Sequence, residues 1–463
     1  MNNNSKIISY IFLSISLLLL FYVFYKAQIV HGGLESVYYL KYYYFSFSLI
    51  ILSFFSFRLS KEIKFMISTI IIASTLSLYI AEIVLLKIKD HEDTAIKKFA
   101  FKKNPNFDFR NPYEAYLDFK KINKDYVNTV FPKHFILEYK TKIYPMSGFK
   151  NKPVLFCNEN GYYATYQSDR YGFTNPDSEW DKENIDYLLL GDSATHGACV
   201  FEKDNTAGNL RSFKDVDGVL NLGQSGNDQL IEYATLKEYL PKSKIKNVLI
   251  FYHENNDLPG LALSLKHPIL KKYFDDENFF QDLKNRDDEI TKALEHSMNI
   301  RIVVAKDTQK VVDWQKANKK IHERHKLKVK IRNTIVFTRI RTKLIEGNRF
   351  EKAEEDVFKE FEEILMKYKT FLKEKDINLY FVYLPDIRRY VDNEKNNNDE
   401  LRHYGTVKEI IKKLNINFID INVEVFKNHT NPFELFAYGR FGGHFNEMGY
   451  RETAKAVHNR IRN

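Results

Sequence analysis

Residues 186–197 read DYLLLGDSATHG, and this stretch decides the fold. A short unbroken apolar run that ends in a glycine turn reads as a buried strand. Ser193 then stands just after the strand, at the start of a helix. There its hydroxyl is exposed and the helix N-terminus favours developing negative charge. The same rhythm continues downstream. GVLNLG (218–223), KNVLIFYH (246–253), INLYFVYLPD (377–386) and INFIDI (416–421) are further apolar runs. Helical stretches at 230–240, 351–373 and 406–414 alternate with them. Continuous apolar strands alternating with helices predict a parallel sheet covered on both faces. The expected fold is therefore α/β, a three-layer, doubly wound parallel sheet. The stretch 261–348 interrupts the rhythm and reads as a helical insertion.

Upstream of the sheet the character changes twice. Residues 140–176 alternate and are rich in Tyr, Phe and Gly, which predicts short antiparallel strands in front of the main domain. Residues 87–139 are polar and Lys-rich and read as a connector with some helix. Before them, residues 7–25 form an uncharged apolar run of 19 and residues 65–86 one of 22 broken only by Glu82. Each is about long enough to cross the ~30 Å hydrocarbon core. Between them, residues 36–57 are apolar apart from Lys41, with Tyr42, Tyr43 and Tyr44 beside it as an interfacial belt. Three transmembrane helices are expected, with Glu82 at the interface. The loop 58–64 carries Arg58, Lys61 and Lys64, which places it and the N-terminus in the cytoplasm and the rest outside. The chain thus divides into a membrane anchor (1–90), a connector and strand-rich front segment (91–180) and the sheet domain (181–463).

Composition excludes several classes. Of the 463 residues 44% are hydrophobic and 28% charged, as in ordinary globular proteins, and net charge is +10. Residues 301–350 hold 15 Lys/Arg against 4 Asp/Glu, so the rest of the chain is near neutral. That argues against a nucleic-acid binder. The basic stretch reads either as solvated helix faces or as a surface facing anionic lipid or an acidic polymer. Two cysteines, Cys157 and Cys199, are too few for a disulfide scaffold or a zinc site, and no metal or cofactor is expected. In an exported domain they can form one bridge that clamps the front segment onto the helix that begins at Ser193. The other reading is two separate buried thiols.

In a doubly wound sheet, chemistry collects at the carboxyl ends of the strands. Four such ends carry suggestive residues: GDSATHG (191–197), NLGQSGND (221–228), FYHENNDL (251–258) and GGHFNEMGY (442–450). This ordered set resembles the SGNH (GDSL-like) hydrolase superfamily over residues 186–455. The matches are Gly191, Asp192 and Ser193; Asn221, Gly223 and Gly226; Asn256 and Asp257; and His444, Asn446 and Gly449. The resemblance implies a serine esterase or acyltransferase. Ser193 attacks an acyl carbonyl, His444 takes and returns its proton, and Asn256 with the N–H groups of Gly226 and Ser193 holds the oxyanion. Asp192, Asp257 and Asn446 are expected to support them. The family's Asp before the histidine is missing, since Phe441 and Gly442 stand there. Glu434, Asp420, Asp386 or a backbone carbonyl are candidates to orient the ring. His196 and His253 read as pocket-lining or supporting residues.

Outward-facing anchored domains of this kind resemble enzymes that tailor surface polysaccharides. The expected function is ester hydrolysis or O-acyl transfer, of O-acetyl groups above all, on a cell-envelope glycan. The partners expected are the membrane, the acylated glycan and, for a transferase, an acyl-donor membrane protein. The place expected is the inner membrane with the catalytic domain facing the periplasm or outside. The alternative is a non-catalytic glycan-binding or assembly subunit, favoured by the missing Asp.

Overall fold

The computed structural model describes residues 3–30, 32–33, 36–138, 141–317, 334–335, 337–341, 357–391 and 403–462. Two compact units result. One comprises Met1–His91, Leu137–Thr141 and Trp314–Gly347; the other comprises Glu92–Ile136, Lys142–Asp313 and Asn348–Asn463. Most of the basic stretch 301–350 and part of the expected insertion lie outside the described residues.

The first unit is helical. α1 (Asn3–Phe24) and α2 (Ser36–Ser56) pack together, and α3 (Lys61–Lys103) begins within the basic stretch 58–64, so that Lys61 and Lys64 are helical and the loop is shorter than expected. Large apolar side chains such as Leu18, Phe21, Phe54 and Ile72 are exposed, while small polar ones turn inward. Ser16 and Ser53 hydroxyls meet at 3.0 Å between α1 and α2, the kind of small-residue contact that lets apolar helices approach in lipid. Two stretches, Lys6–Val30 and Lys61–Lys103, are long and apolar enough to cross a membrane. The middle run expected as a third span is a helix of 21 residues that falls short of that measure, because Lys41 and the tyrosines around it lower its hydropathy. Glu82 interrupts the second of these stretches. It is fully buried, and its carboxylate accepts the backbone N–H groups of Arg339 at 2.7 Å and Ile340 at 2.8 Å. These belong to a short helical turn, Thr338–Arg341, and the first N–H groups of a helix find no partner within the helix itself.

The second unit opens with α4 (Pro112–Ile122), started by an Asn111–Glu114 capping box with Pro112 at its first position. A small sheet follows: β1 (Val127–Asn128) runs parallel to β2 (Pro153–Leu155), which pairs antiparallel with β3 (Thr165–Gln167). The chain then alternates β4 (Asn184–Gly191), α5 (Ser193–His196), α6 (Thr206–Arg211), β5 (Val219–Asn221), α7 (Gln229–Tyr239) and β6 (Lys244–His253). After β6 come α8 (Asp257–Ser264), α9 (Pro268–Asp275) and α10 (Asp287–Ala317), the helical insertion as far as it is described. β7 (Asn378–Leu384) and β8 (Asn417–Asp420) complete the large sheet, and the helix Glu447–Arg462 closes the chain.

All five expected strands are present and every pairing among them is parallel, in the order β5-β4-β6-β7-β8. Alternation along each strand sends side chains to two faces. Tyr187, Leu189, Phe251, Val382 and Ile419 form one core with Leu210 of α6 and Tyr450, Ala454 and Val457 of the closing helix. On the other face Tyr252 and Phe381 meet Phe361 of the helix Phe358–Lys373, and Tyr233 of α7 meets Tyr368 of that helix. Three layers result. In this strand order β4 has β5 on one side and β6 on the other, so the direction of winding reverses between β4 and β6. A crevice opens beyond the carboxyl ends of such a pair.

Candidate active site

That crevice is built from the ends of β4 and β6. Gly191 closes β4 because no side chain fits there: an added Cβ would lie 2.0 Å from Thr195 Oγ1. Asp192 caps α5, its side chain accepting the Ala194 N–H at 2.9 Å. This sharp strand-to-helix turn holds Ser193 at the rim. At the end of β6, Asp257 is buried and accepts the His253 N–H at 2.9 Å and the Gln229 amide at 2.8 Å, which shapes the 253–257 turn. Burial, then the nearby Asp192 charge, pushes the Asp257 carboxyl well above the usual carboxylate range. Asn256 on that turn donates its amide to Asp192 Oδ2 at 2.9 Å, and its Oδ1 lies 3.1 Å from His253 Nδ1. Because the Asp192 carboxylate only accepts, the Asn256 atom facing it is the amide nitrogen, which keeps one N–H beyond that given to Asp192.

His444 comes from the loop before the closing helix. Asn446 organises this loop: its Oδ1 accepts the Gly449 N–H at 3.0 Å, and its amide donates to the Glu434 carbonyl at 2.6 Å. The imidazole then meets Ser193, with Nε2 2.9 Å from Oγ.

The acid that orients the imidazole is Glu159, which sequence reasoning missed. Its Oε1 lies 3.0 Å from His444 Nδ1, and its Oε2 accepts the His444 backbone N–H at 2.6 Å. One carboxylate thus grips the histidine twice. With Nδ1–H donating to Glu159, Nε2 is the nitrogen that faces the serine hydroxyl. Burial disfavours charge on both groups, but their mutual attraction and hydrogen bonds outweigh it. Glu159 falls below the usual carboxylate value and His444 rises above 6.5. Gly443 makes room for the contact: it sits at φ +83°, and an added Cβ would lie 2.8 Å from Glu159 Oε2.

The acids proposed from sequence are committed elsewhere. Asp386 pairs with Arg388 at 2.7 Å. Burial opposes its charge, but Arg388 and His253 bring its pKa to about 2. Asp420 accepts the Tyr404 hydroxyl, and Glu434 accepts the Asn431 amide at 3.1 Å. The one signal that pointed to Glu159 was Cys157, two residues before it. Cys157 and Cys199 form a disulfide with Cα atoms 4.8 Å apart. The structure therefore decides for the bridge over two separate thiols, and the bridge carries the front segment to the element of Ser193.

His196 is fully buried, 3.2 Å from Ser225 Oγ and 3.3 Å from Tyr166 of β3. It ties the front sheet to the turn after β5, and burial lowers its pKa to about 3. Gly226 lies on that same turn at φ +80°, with the Lys133 side chain against it. Ser193, Asn256 and His444 share the wall of a cavity of about 210 Å³ with His253, Asn255 and Asp386; Gly226 does not line it.

No protein-family model and no curated protein matches the chain. Among solved structures, the chain is similar to one described as a putative lipolytic protein of the G-D-S-L family from Desulfitobacterium hafniense DCB-2. The identity is 14%, over 60% of this chain and 99% of that one, with a TM-score of 0.27. It is likewise similar to a member of the lipolytic G-D-S-L family from Veillonella parvula DSM 2008, at 15% identity over 59% of this chain and 96% of that one, with a TM-score of 0.28.

Proposed function

We propose that this chain is a membrane-anchored serine esterase or O-acyltransferase that removes or moves small acyl groups, O-acetyl above all, on a cell-envelope polysaccharide or glycoconjugate. One observation carries the reading: Glu159, His444 and Ser193 stand in an unbroken hydrogen-bonded chain at the carboxyl ends of a parallel sheet. In such a chain His444 accepts the serine proton as Oγ attacks the acyl carbonyl, and Glu159 stabilises the imidazolium that forms. The proton then goes to the departing hydroxyl. Water or a second sugar hydroxyl, deprotonated by the same nitrogen, releases the acyl group.

The free N–H of Asn256 and the backbone N–H of Ser193 are the oxyanion donors in this reading, and Gly226, which does not line the cavity, is left out of it. Asp192 holds the Asn256 amide and caps the serine's helix, Asp257 sets the turn, and Asn446 sets the histidine loop. The cavity volume, about 210 Å³, is below the ~300 Å³ at which sites for drug-sized ligands begin and suits a small acyl group. His253, Asn255 and Asp386 on its wall offer donors and acceptors to a hydroxyl-rich partner. The non-catalytic alternative rested on a missing acid, and Glu159 supplies one.

A fluorophosphonate probe should label Ser193 in the folded protein, and Ser193→Ala should abolish both labelling and hydrolysis of a small acetyl ester. Unchanged hydrolysis by that variant would remove Ser193 from the mechanism. Acetyl release from acetylated envelope glycans, compared with transfer to an added sugar acceptor, separates esterase from transferase.

A further inference from the structure

The disulfide does more than join two segments. Cys157 precedes Glu159 by two residues, and Cys199 follows Ser193 by six. The Cys199 sulfur, a Glu159 carboxylate oxygen and a His444 ring nitrogen all lie within 4.8 Å of one another. The Asn160 side chain donates to the Cys199 carbonyl at 3.1 Å, so the turn carrying Glu159 is fastened on both sides of the acid. Cys199 itself sits at φ +62°, in the left-handed region that few non-glycine residues adopt. The turn has anchors of its own as well: Asn158 donates to the Asp108 carbonyl at 2.8 Å, and Gly161 donates to Asn158 at 2.9 Å. Without the bridge the turn keeps those bonds and the Asn160 hydrogen bond but loses its covalent tie to the segment that follows the helix of Ser193.

We propose that the Cys157–Cys199 bridge is a positioning device for the acid of the triad, and that its reduction by a dithiol turns catalysis down by releasing Glu159 from His444. The inference rests on the catalytic reading above. In the reduction, the dithiol gives two electrons and two protons to the bridge. The S–S bond breaks, two cysteine thiols form, and the reductant leaves as its own disulfide. Cys199 is buried, but Cys157 is partly exposed, so reductant has a route to the bond.

Neither cysteine lines the cavity. The effect therefore belongs in kcat and not in KM. A displacement of about 1 Å in a catalytic group costs on the order of 100-fold, and that is the fall in kcat expected for the reduced wild type and for Cys157→Ala/Cys199→Ala. Reoxidation of the wild type restores the rate, and the double variant ignores the dithiol. A purely structural bridge would lower activity equally in any background, so the deciding measurement is a cycle with Glu159→Gln. With the acid already disabled, removing the bridge should change kcat less than twofold. The acid limb of the kcat/KM profile should also move to lower pH when the bridge is removed, because His444 loses the charge that holds its pKa up.

An equal loss in both backgrounds overturns the inference, as does full activity of the reduced wild type. If the double variant does not fold, reduction of folded wild type, followed by thermal unfolding, reads the same effect. Fluorophosphonate labelling separates the two levels. Oxidised wild type that leaves Ser193 unlabelled removes the catalytic reading and this inference with it. Labelled enzyme indifferent to the bridge removes the inference alone.

Discussion

Glu159 stands 285 residues before the histidine it grips. Its removal is the sharpest test at this scale. Glu159→Gln keeps the shape but lets the ring choose the wrong tautomer, and kcat should fall by about four orders of magnitude. The pH profile gives an independent check. Only neutral His444 accepts a proton, and its pKa is raised above 6.5 by Glu159. In the free enzyme, kcat/KM should therefore climb through a pKa above 6.5, and Glu159→Gln should shift that limb downward. A limb at or below 6.5 in the wild type would contradict the ion pair. Gly443→Ala tests the space around the acid. The new Cβ meets Glu159 Oε2 at 2.8 Å and sits at φ +83°. The backbone penalty is about 1–2 kcal/mol of stability, and kcat should fall by at least tenfold with little change in KM.

At the scale of elements, the front sheet and the main sheet are joined by the disulfide and by His196. The loop closed by the bridge has a sequence separation of 42, for which chain entropy gives about 4 kcal/mol. Denaturant unfolding with and without reductant should differ by up to that amount. His196, between Tyr166 and Ser225, must stay neutral to stay buried. Below pH 6.5 the unfolded chain binds a proton at this position and the folded one does not until about pH 3. Stability should thus decline as pH drops below 6.5. His196→Gln keeps a hydrogen-bonding side chain and should flatten that decline, as read by urea midpoints between pH 5 and 7. The helix ends carry the same lesson. Asp192 and Asn446 are capping residues as well as neighbours of the site, so local helix chemistry and catalytic geometry depend on the same side chains.

For the whole molecule, the helical unit carries two stretches able to cross a membrane and the sheet unit carries the site. Arg58, Lys61 and Lys64, clustered around the start of α3, predict a cytoplasmic N-terminus and an exported sheet domain. A reporter fused after Asn463 should be active only outside the cytoplasm. Cytoplasmic activity would overturn the topology, the envelope substrate and the oxidising compartment that the bridge needs. Within the helical unit, the buried carboxylate of Glu82 is satisfied by the Arg339 and Ile340 N–H groups.

The sequence by itself determined what short-range chemistry determines. Apolar runs of strand length marked all five parallel strands, and short motifs marked Ser193 and Asn256 at the ends of β4 and β6 and His444 in the loop before the closing helix, because periodicity and turns are properties of a few consecutive residues. Only the tertiary structure decided the acid. A triad requires a carboxylate at one point in space, and any segment of the chain can bring it there. Here the short turn between Cys157 and Gly161 does so, held by the bridge to Cys199. Asp386, Asp420 and Glu434 lie closer to His444 in sequence, yet each is engaged elsewhere. Sequence proximity gave those acids no advantage, since the attraction that holds His444 depends on distance through space and on the local surroundings, not on separation along the chain.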